Sequence, residues 1–384
     1  MPSANHSTNS TLERATLIHR EMVQLSVLVA VAIAAFFVTR VVATNNQDMS
    51  LRNGAEWYRR GQQHLDAGRI EDAIDAFRHA TVRHRANKPY VLSLARSLAF
   101  KGDHESARVV LLTLRESAPE DPEINLELAR LAVARPDVSE ALRFYQNALY
   151  APWPSNQTEI RRSVRLELIR FLLAHDQVGP AQSELLAAAT DLPDDFAHHL
   201  EMAQLLAKAG DDNHALTHFE RALRLAPDNG QALAGTGQTA FRLGQYSLAR
   251  RYLRRAPEDQ EGVQNARDLV DLVLSRDPLA ARIGSTERRR RLIANVSYAQ
   301  KRFTACLAQH TGRPSAGDEI TLQGELQSFE GPLKPRVTLD QDAVELGVDL
   351  IDRVERHVVQ SCGPPSALDR ALLLIGRQHG AESR

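Results

Sequence analysis

Four groups of residues have types and spacings that could do chemistry. The run "GTGQTA", residues 235–240, has the glycine spacing of a dinucleotide-binding turn, where glycines bring a helix N-terminus against a pyrophosphate. That chemistry needs a strand before the turn. The residues around Gly235 have helical periodicity instead, so the spacing is expected to serve packing, with Gly237 as a small contact position. His214 and His218 stand one helical turn apart, as two metal ligands would, yet no third ligand is evidently placed beside them, and surface histidines are expected. The run "RRRR", residues 288–291, falls near a helix N-terminus, where the macrodipole disfavours cations. A solvated face is expected there, with acidic lipid or an acidic partner as the alternative. Cys306 continues the apolar seam Leu292, Val296, Ala299, Phe303, and Cys362 continues Val344, Ile351, Val354, Val358. Two unrelated buried thiols and, in an exported domain, a disulfide joining two helices are the readings open for this pair. No Ser/His/Asp spacing for nucleophilic catalysis and no zinc-type cysteine pair is visible, so catalytic residues, metals and cofactors are expected to be absent.

The elements that carry these residues follow from composition. The chain has 384 residues, 5% aromatics and a net charge of -1, with Ala, Leu, Arg and Glu prominent. That mixture favours helices, and the charge balance offers no footprint for nucleic acid. An all-α protein is expected.

The N-terminal region departs from the rest. Residues 1–21 are polar and rich in Ser, Asn and Thr, which suggests a disordered tail. The run "MVQLSVLVAVAIAAFFVT" carries no charge before Arg40, and residues 22–43 are long enough to span a bilayer as a helix. Residues 44–53 read as a linker. Signal cleavage after Ala43 is the competing reading, opposed by the length of the apolar run and by Arg40 at its end. Arg14 and Arg20 precede the span while Arg40 and Arg52 follow it, so charge hardly discriminates orientation. A bacterial arrangement with a short tail inside and the large domain exported is expected.

From residue 54 the chain repeats. Blocks beginning at 54, 88, 122, 162, 196 and 230 place Ala73, Ala107, Ala141, Ala181, Ala215 and Ala249 at the twentieth position. The twenty-fourth is bulky in every block (Phe77, Leu111, Tyr145, Leu185, Phe219, Leu253), and the eighth holds Gly61, Ala95, Ala129, Ile169, Ala203 and Gly237. Small residues let two antiparallel helices approach closely, and the bulky one fills the gap to the next pair. Gly68, Gly102, Gly210 and Gly244 mark the turn inside a block, with Pro136 and Asp176 taking that place in blocks three and four. Pro119, Pro193 and Pro227 end second helices. The blocks are therefore 54–87, 88–121, 122–155, 162–195, 196–229 and 230–263, with "NQTEIR" (156–161) inserted once and expected to form a tolerated loop, a bend between the repeats being the alternative.

This pattern resembles the tetratricopeptide repeat (TPR) family, most closely in block one with Trp57, Gly61, Ala73, Phe77 and Ala80. The resemblance implies an all-α solenoid of about six helical hairpins, a concave groove lined by first helices, and binding of proteins or peptides in place of catalysis. It also implies groove-facing residues. At position 5 these are Tyr58, Leu92, Leu126, Leu166 and Leu200, and at position 9 Gln62, Arg96, Arg130, Arg170, Gln204 and Gln238. Three arginines on an apolar and amide-lined groove suggest a partner segment with acidic residues, and their pairing with neighbouring glutamates, which would merely keep the groove soluble, is the other reading left open. The carboxylate clamp of chaperone-binding members, with Lys at position 5 and Asn at position 9, is not present.

Beyond residue 263 the repeat phase is lost. A capping helix at 264–275 is expected, then a small helical domain to residue 384, its last helix opened by the capping box Ser366–Ala367–Leu368–Asp369. A membrane-anchored scaffold, in envelope assembly, secretion or protein quality control, is the expected function. An enzyme with its site in residues 280–384 and the repeats as docking arm is the alternative.

Overall fold

The computed structural model describes residues 7–135, 138–309, 317–331, 333–334 and 339–382. Among these residues there are seventeen α-helices and no strand. Two compact units divide the chain, residues 1–168 and 169–384.

In the first unit, α1 runs unbroken from Ser7 to Asp66. Neither a disordered tail across residues 7–21 nor a linker at 44–53 is present; both are helical, while residues 1–6 lie outside the described part. The physical reason is an absence of breakers, since no Gly or Pro occurs between Pro2 and Gly54. The window Leu25–Val42 has a mean hydropathy of 2.5 and no buried residues, so it is a candidate membrane span.

The last turns of α1 form the first hairpin with α2 (Ile70–Arg83). Helices α3 (Lys88–Lys101) and α4 (His104–Ser117), then α5 (Pro122–Val133) and α6 (Val138–Tyr150), repeat the arrangement. The starts of α3, α4 and α5 are prepared by side chains: Asn87 accepts from the Tyr90 amide, Asp103 from Ser106, and Asp121 from Glu123 and Ile124. Caps of this kind contribute about 1 kcal/mol each by satisfying amides that the helix leaves unpaired. The glycines at the turns have φ of +72° at Gly68 and +91° at Gly102, conformations that a side chain would strain. Pro136, at the corresponding turn of block three, lies outside the described residues. Helix α7 (Thr158–Ala174) begins within the inserted segment, so four of its six residues lengthen a helix where a loop was expected.

The second unit continues with α8 (Val178–Ala189), α9 (Phe196–Lys208), α10 (Asp212–Leu225), α11 (Gly230–Arg242) and α12 (Tyr246–Leu253). Gly210 and Gly244 repeat the positive-φ turn, and Asp176 adopts it without being glycine, at φ +56°.

The periodic alanines explain the packing. All six at position 20 are completely buried, in both units. A Cβ at Gly61 would come within 2.5 Å of the Phe77 ring, and one at Gly237 would lie 2.6 Å from Leu253 Cγ and 3.1 Å from the Leu253 backbone nitrogen. Gly237→Ala should therefore cost about 1–3 kcal/mol, because backbone as well as side chain must move. Urea unfolding followed by circular dichroism measures this, and an unchanged midpoint would contradict it.

Helices α13 (Val263–Arg276), α14 (Ser285–Gln309), α15 (Gly317–Phe329), α16 (Gln341–Cys362) and α17 (Ala367–Glu382) complete the second unit. Helix α13 packs on α11 and α12, and α17 packs on α13, so the C-terminal helices fuse with the last repeats. Helix α15 lies between α14 and α16, with Leu322 and Leu326 buried one turn apart. At α17 the capping box is reciprocal: the Asp369 amide donates to Ser366 Oγ and the Ser366 amide to Asp369 Oδ2.

Candidate partner-binding groove

Position 9 is solvent-facing in the first unit, where Gln62, Arg96 and Arg130 are exposed. The arginines are already engaged. Arg96 Nε donates to Glu127 Oε1 at 2.8 Å, and Arg130 forks onto Glu167 at 2.6 and 3.0 Å while reaching Glu127 at 3.0 Å. The hydrogen bond with Glu167 holds the Arg130 guanidinium above its ordinary pKa. In the second unit Arg170 is paired with Glu201. The three glutamates occupy position 6 of the block after each arginine, so each position-9 arginine is neutralised by the next repeat. An open guanidinium row, which would favour an acidic partner, is therefore not what the groove presents.

Position 5 faces inward more than expected. Leu92, Leu126 and Leu200 are 3%, 5% and 9% exposed and belong to the core, while Leu166 is half-buried. Tyr58 is half-buried as well, stacked on Tyr90 with ring centroids 4.8 Å apart. These residues brace the first helices and leave little surface for a ligand.

The concavity itself lies in blocks five and six. A cavity of about 410 Å³, open to solvent, is lined by Gln204, Gln231, Gln238 and Gln260 around a floor of Phe219, Ala234 and Gly235. Gly235 is required there, because a Cβ would fall 2.4 Å from the Phe219 ring. Gln238 Nε2 donates to the Glu261 carbonyl at 2.7 Å, and Arg242 at the rim is paired with Asp212 at 2.6 Å. The amides of Gln204, Gln231 and Gln260 make no hydrogen bond to a described residue, so their donors and acceptors are free for solvent or a ligand. Such a lining suits uncharged polar groups. Sequence reading found Gln204 and Gln238 but missed Gln231 and Gln260; Gln231 was legible as position 2 of its block, whereas Gln260 lies past the helices.

The other candidates resolve into structure. His214 Nδ1 contacts Asp211 at 2.7 Å, and His218 Nδ1 lies 2.9 Å from His199 Nδ1. No cluster of three metal-ligating side chains occurs among the described residues. The arginine run is not a uniformly solvated face: Arg288 donates to the Pro278 carbonyl, Arg289 to Leu333 and Lys334, and Arg291 to Leu274 and Asp277. Consecutive residues point around the helix, so the run spreads over the carbonyls of the α13 C-terminus and of the neighbouring loops. Cys306 and Cys362 are joined as a disulfide between α14 and α16, with Cα atoms 5.6 Å apart.

One polar cluster had no sequence signal. Arg302 on α14 pairs with Asp369 and stands 3.5 Å from Glu355 Oε2, and both carboxylates are fully buried. Tyr298 donates to Asp369 Oδ1 at 2.6 Å. Burial raises the Asp369 pKa, but the hydrogen bonds from Tyr298 and Ser366 and the charge of Arg302 hold it below the ordinary range. Glu355 accepts no hydrogen bond, and burial pushes it up to about 7 against the pull of Arg302.

Residues 92–156 and 200–262 match the family model for the tetratricopeptide repeat. Comparison with curated protein sequences gives no match. Among solved structures, YrrB, a TPR protein with an unusual peptide-binding site, is 19% identical with a TM-score of 0.42, over 50% of this chain and 97% of that one. PilF of Pseudomonas aeruginosa is 16% identical with a TM-score of 0.41, over 55% of this chain and 91% of that one. A tetratricopeptide repeat protein from Parabacteroides merdae is 16% identical with a TM-score of 0.37, over 57% and 84%. At these identities and scores none of the three bears on what this chain binds. The family match falls on helical hairpins in the phase read from the sequence, and the chain carries tetratricopeptide repeats.

Proposed function

We propose that the protein is a membrane-tethered interaction scaffold that docks a segment of another protein in the groove of its last two repeats. The observation that carries this is the open cavity in which three glutamine amides have no described protein partner. A peptide main chain offers alternating donors and acceptors that such amides satisfy, and the Phe219 floor accommodates a small apolar side chain. Acidic residues in the partner are a secondary feature, since they would have to displace Glu127, Glu167 or Glu201 from Arg96, Arg130 or Arg170. The chain acts as a scaffold and not as an enzyme. The buried Arg302–Glu355–Asp369 cluster is the nearest thing to a catalytic constellation, and neither carboxylate has exposed surface for a substrate to reach.

The window Leu25–Val42 serves as the tether, and the repeats lie on the far side of the membrane from the cytoplasm. The disulfide supports that side, because such bonds persist in oxidising compartments. Envelope assembly, secretion and quality control are the processes that suit a scaffold so placed.

A photo-crosslinking residue at Gln204, inside the cavity, should yield an adduct with one partner segment in intact cells. The same residue at Thr217, exposed on α10, should not. Equal labelling at both positions, or adducts at neither, would overturn the docking site.

A further inference from the structure

The first repeat is not hung from the span by a flexible tether; its first helix is the span's own continuation. From Val42 to Gly54 the helix rises about 18 Å at 1.5 Å per residue. At Gly54 it meets the far end of α2: a Cβ there would lie 3.1 Å from His84 and 3.7 Å from Arg83 Cβ. A span crosses near the bilayer normal, with a tilt of about 20° on average. The first hairpin, with α3 packed on α2, therefore stands on end, with the loop after α2 turned toward the membrane and the turns at Gly68 and Gly102 turned away.

That membrane-facing loop is basic. Arg83 and Arg85 are exposed, as is Arg52 on α1, and none of the three meets an acidic group among the described residues. The next such loop, around Glu116, Glu120 and Asp121, is acidic, so the positive charge is confined to the side of α1 occupied by α2 and the start of α3. The headgroup layer occupies roughly 5–8 Å beyond the hydrocarbon. An upright stalk thus leaves the arginines about 10 Å above it, near the limit set by a Debye length of about 8 Å. Tilting α1 toward the α2 side closes that gap.

We infer that Arg52, Arg83 and Arg85 form a lipid-facing surface that draws the first repeats down onto anionic headgroups. The inference rests on Leu25–Val42 spanning the bilayer. It also assigns the first repeat a posture, because the stalk has no breaker at which that repeat could swing free.

The test uses the full chain in nanodiscs of phosphatidylcholine alone or mixed with phosphatidylglycerol, with headgroups carrying an energy-transfer acceptor. A donor is attached to Ala86→Cys, in the basic loop, or to Lys101→Cys, at the opposite end of α3. Transfer should be stronger from Ala86→Cys than from Lys101→Cys in both bilayers. It should increase at Ala86→Cys when anionic lipid is present. Joint reversal (Arg52→Glu, Arg83→Glu, Arg85→Glu) and high salt should each abolish that increase while helicity is kept. Equal transfer from the two positions, or no dependence on anionic lipid, would overturn the inference while the span stands. Release of the unmodified chain from membranes by an alkaline wash would overturn the span itself and this inference with it.

Discussion

Replacing Arg302 with Met should destabilise the C-terminal helices by about 3–5 kcal/mol, the cost of leaving a buried carboxylate without its counter-charge. Arg302 is the cation facing both Asp369 and Glu355, and neither carboxylate has exposed surface. Tyr298 and Ser366 would still hydrogen-bond Asp369, so the loss is mainly one of charge compensation. Asp369→Asn in the same background should recover much of the stability, since the amide oxygen can still accept from the Ser366 amide. Hydrogen exchange of α14, α16 and α17 measures both effects. Protection in Arg302→Met equal to the unsubstituted protein would show that the cluster contributes nothing. The same cluster sets a pH dependence. The folded-state pKa of Glu355 is raised to about 7 from an ordinary 4.5, so the folded form binds a proton that the unfolded form has released. Stability is then highest below the unfolded value and falls as pH rises through the folded one. Asp369 has the opposite sign, but its lowered pKa acts only below the ordinary aspartate value, outside this window. Glu355→Gln should flatten the fall between about pH 4.5 and 7, and a slope that survives the substitution would assign it elsewhere.

Breaking the disulfide should have an effect of similar size. A bond between residues 56 apart restrains the unfolded chain by about 4 kcal/mol in the loop-entropy account. The bond joins the two helices that also meet through Arg302 and Glu355, so reduction should loosen α14 and α16 before the repeats. Denaturant titrations of the oxidised protein and of Cys306→Ala/Cys362→Ala should separate accordingly. Mass mapping of protein taken from its native membrane without reductant provides the companion observation. Two thiols open to alkylation after unfolding would remove both the stabilisation and the argument for an oxidising compartment.

What could be read from the sequence was whatever recurs. A helix pair that must close to backbone contact admits only a small residue, and six copies of that demand expose it as a column of alanines. The arginine–glutamate pairing was equally present in the columns, since Glu127, Glu167 and Glu201 share position 6, but it appears only when two columns are read one repeat apart. Position 5 misled because a leucine facing a groove and a leucine bracing it have the same spacing. The length of α1 was hidden by its Ser, Asn and Thr content, which suggests loops, although those residues are only mildly unfavourable in a helix and no true breaker intervenes. The Arg302 cluster joins α14 to α16 and α17, whose carboxylates lie more than 50 residues further along the chain, and no local pattern encodes that. Asp369 could be noticed only for its part in a capping box.

The arginine–glutamate pairs have a bearing on how such a protein can change length. The set opens at Arg96, behind Ser93 at position 6 of its own block, and closes at Glu201, ahead of Gln204 at position 9. Its three positive and three negative residues cancel, and both flanks are neutral. A gene duplication that copies block three or four whole inserts one glutamate and one arginine in the same order, and every junction reforms. A copy that takes in one member of such a pair without the other strands a charge. Whole-repeat additions and deletions would thus lengthen or shorten the row of pairs without giving it a net charge.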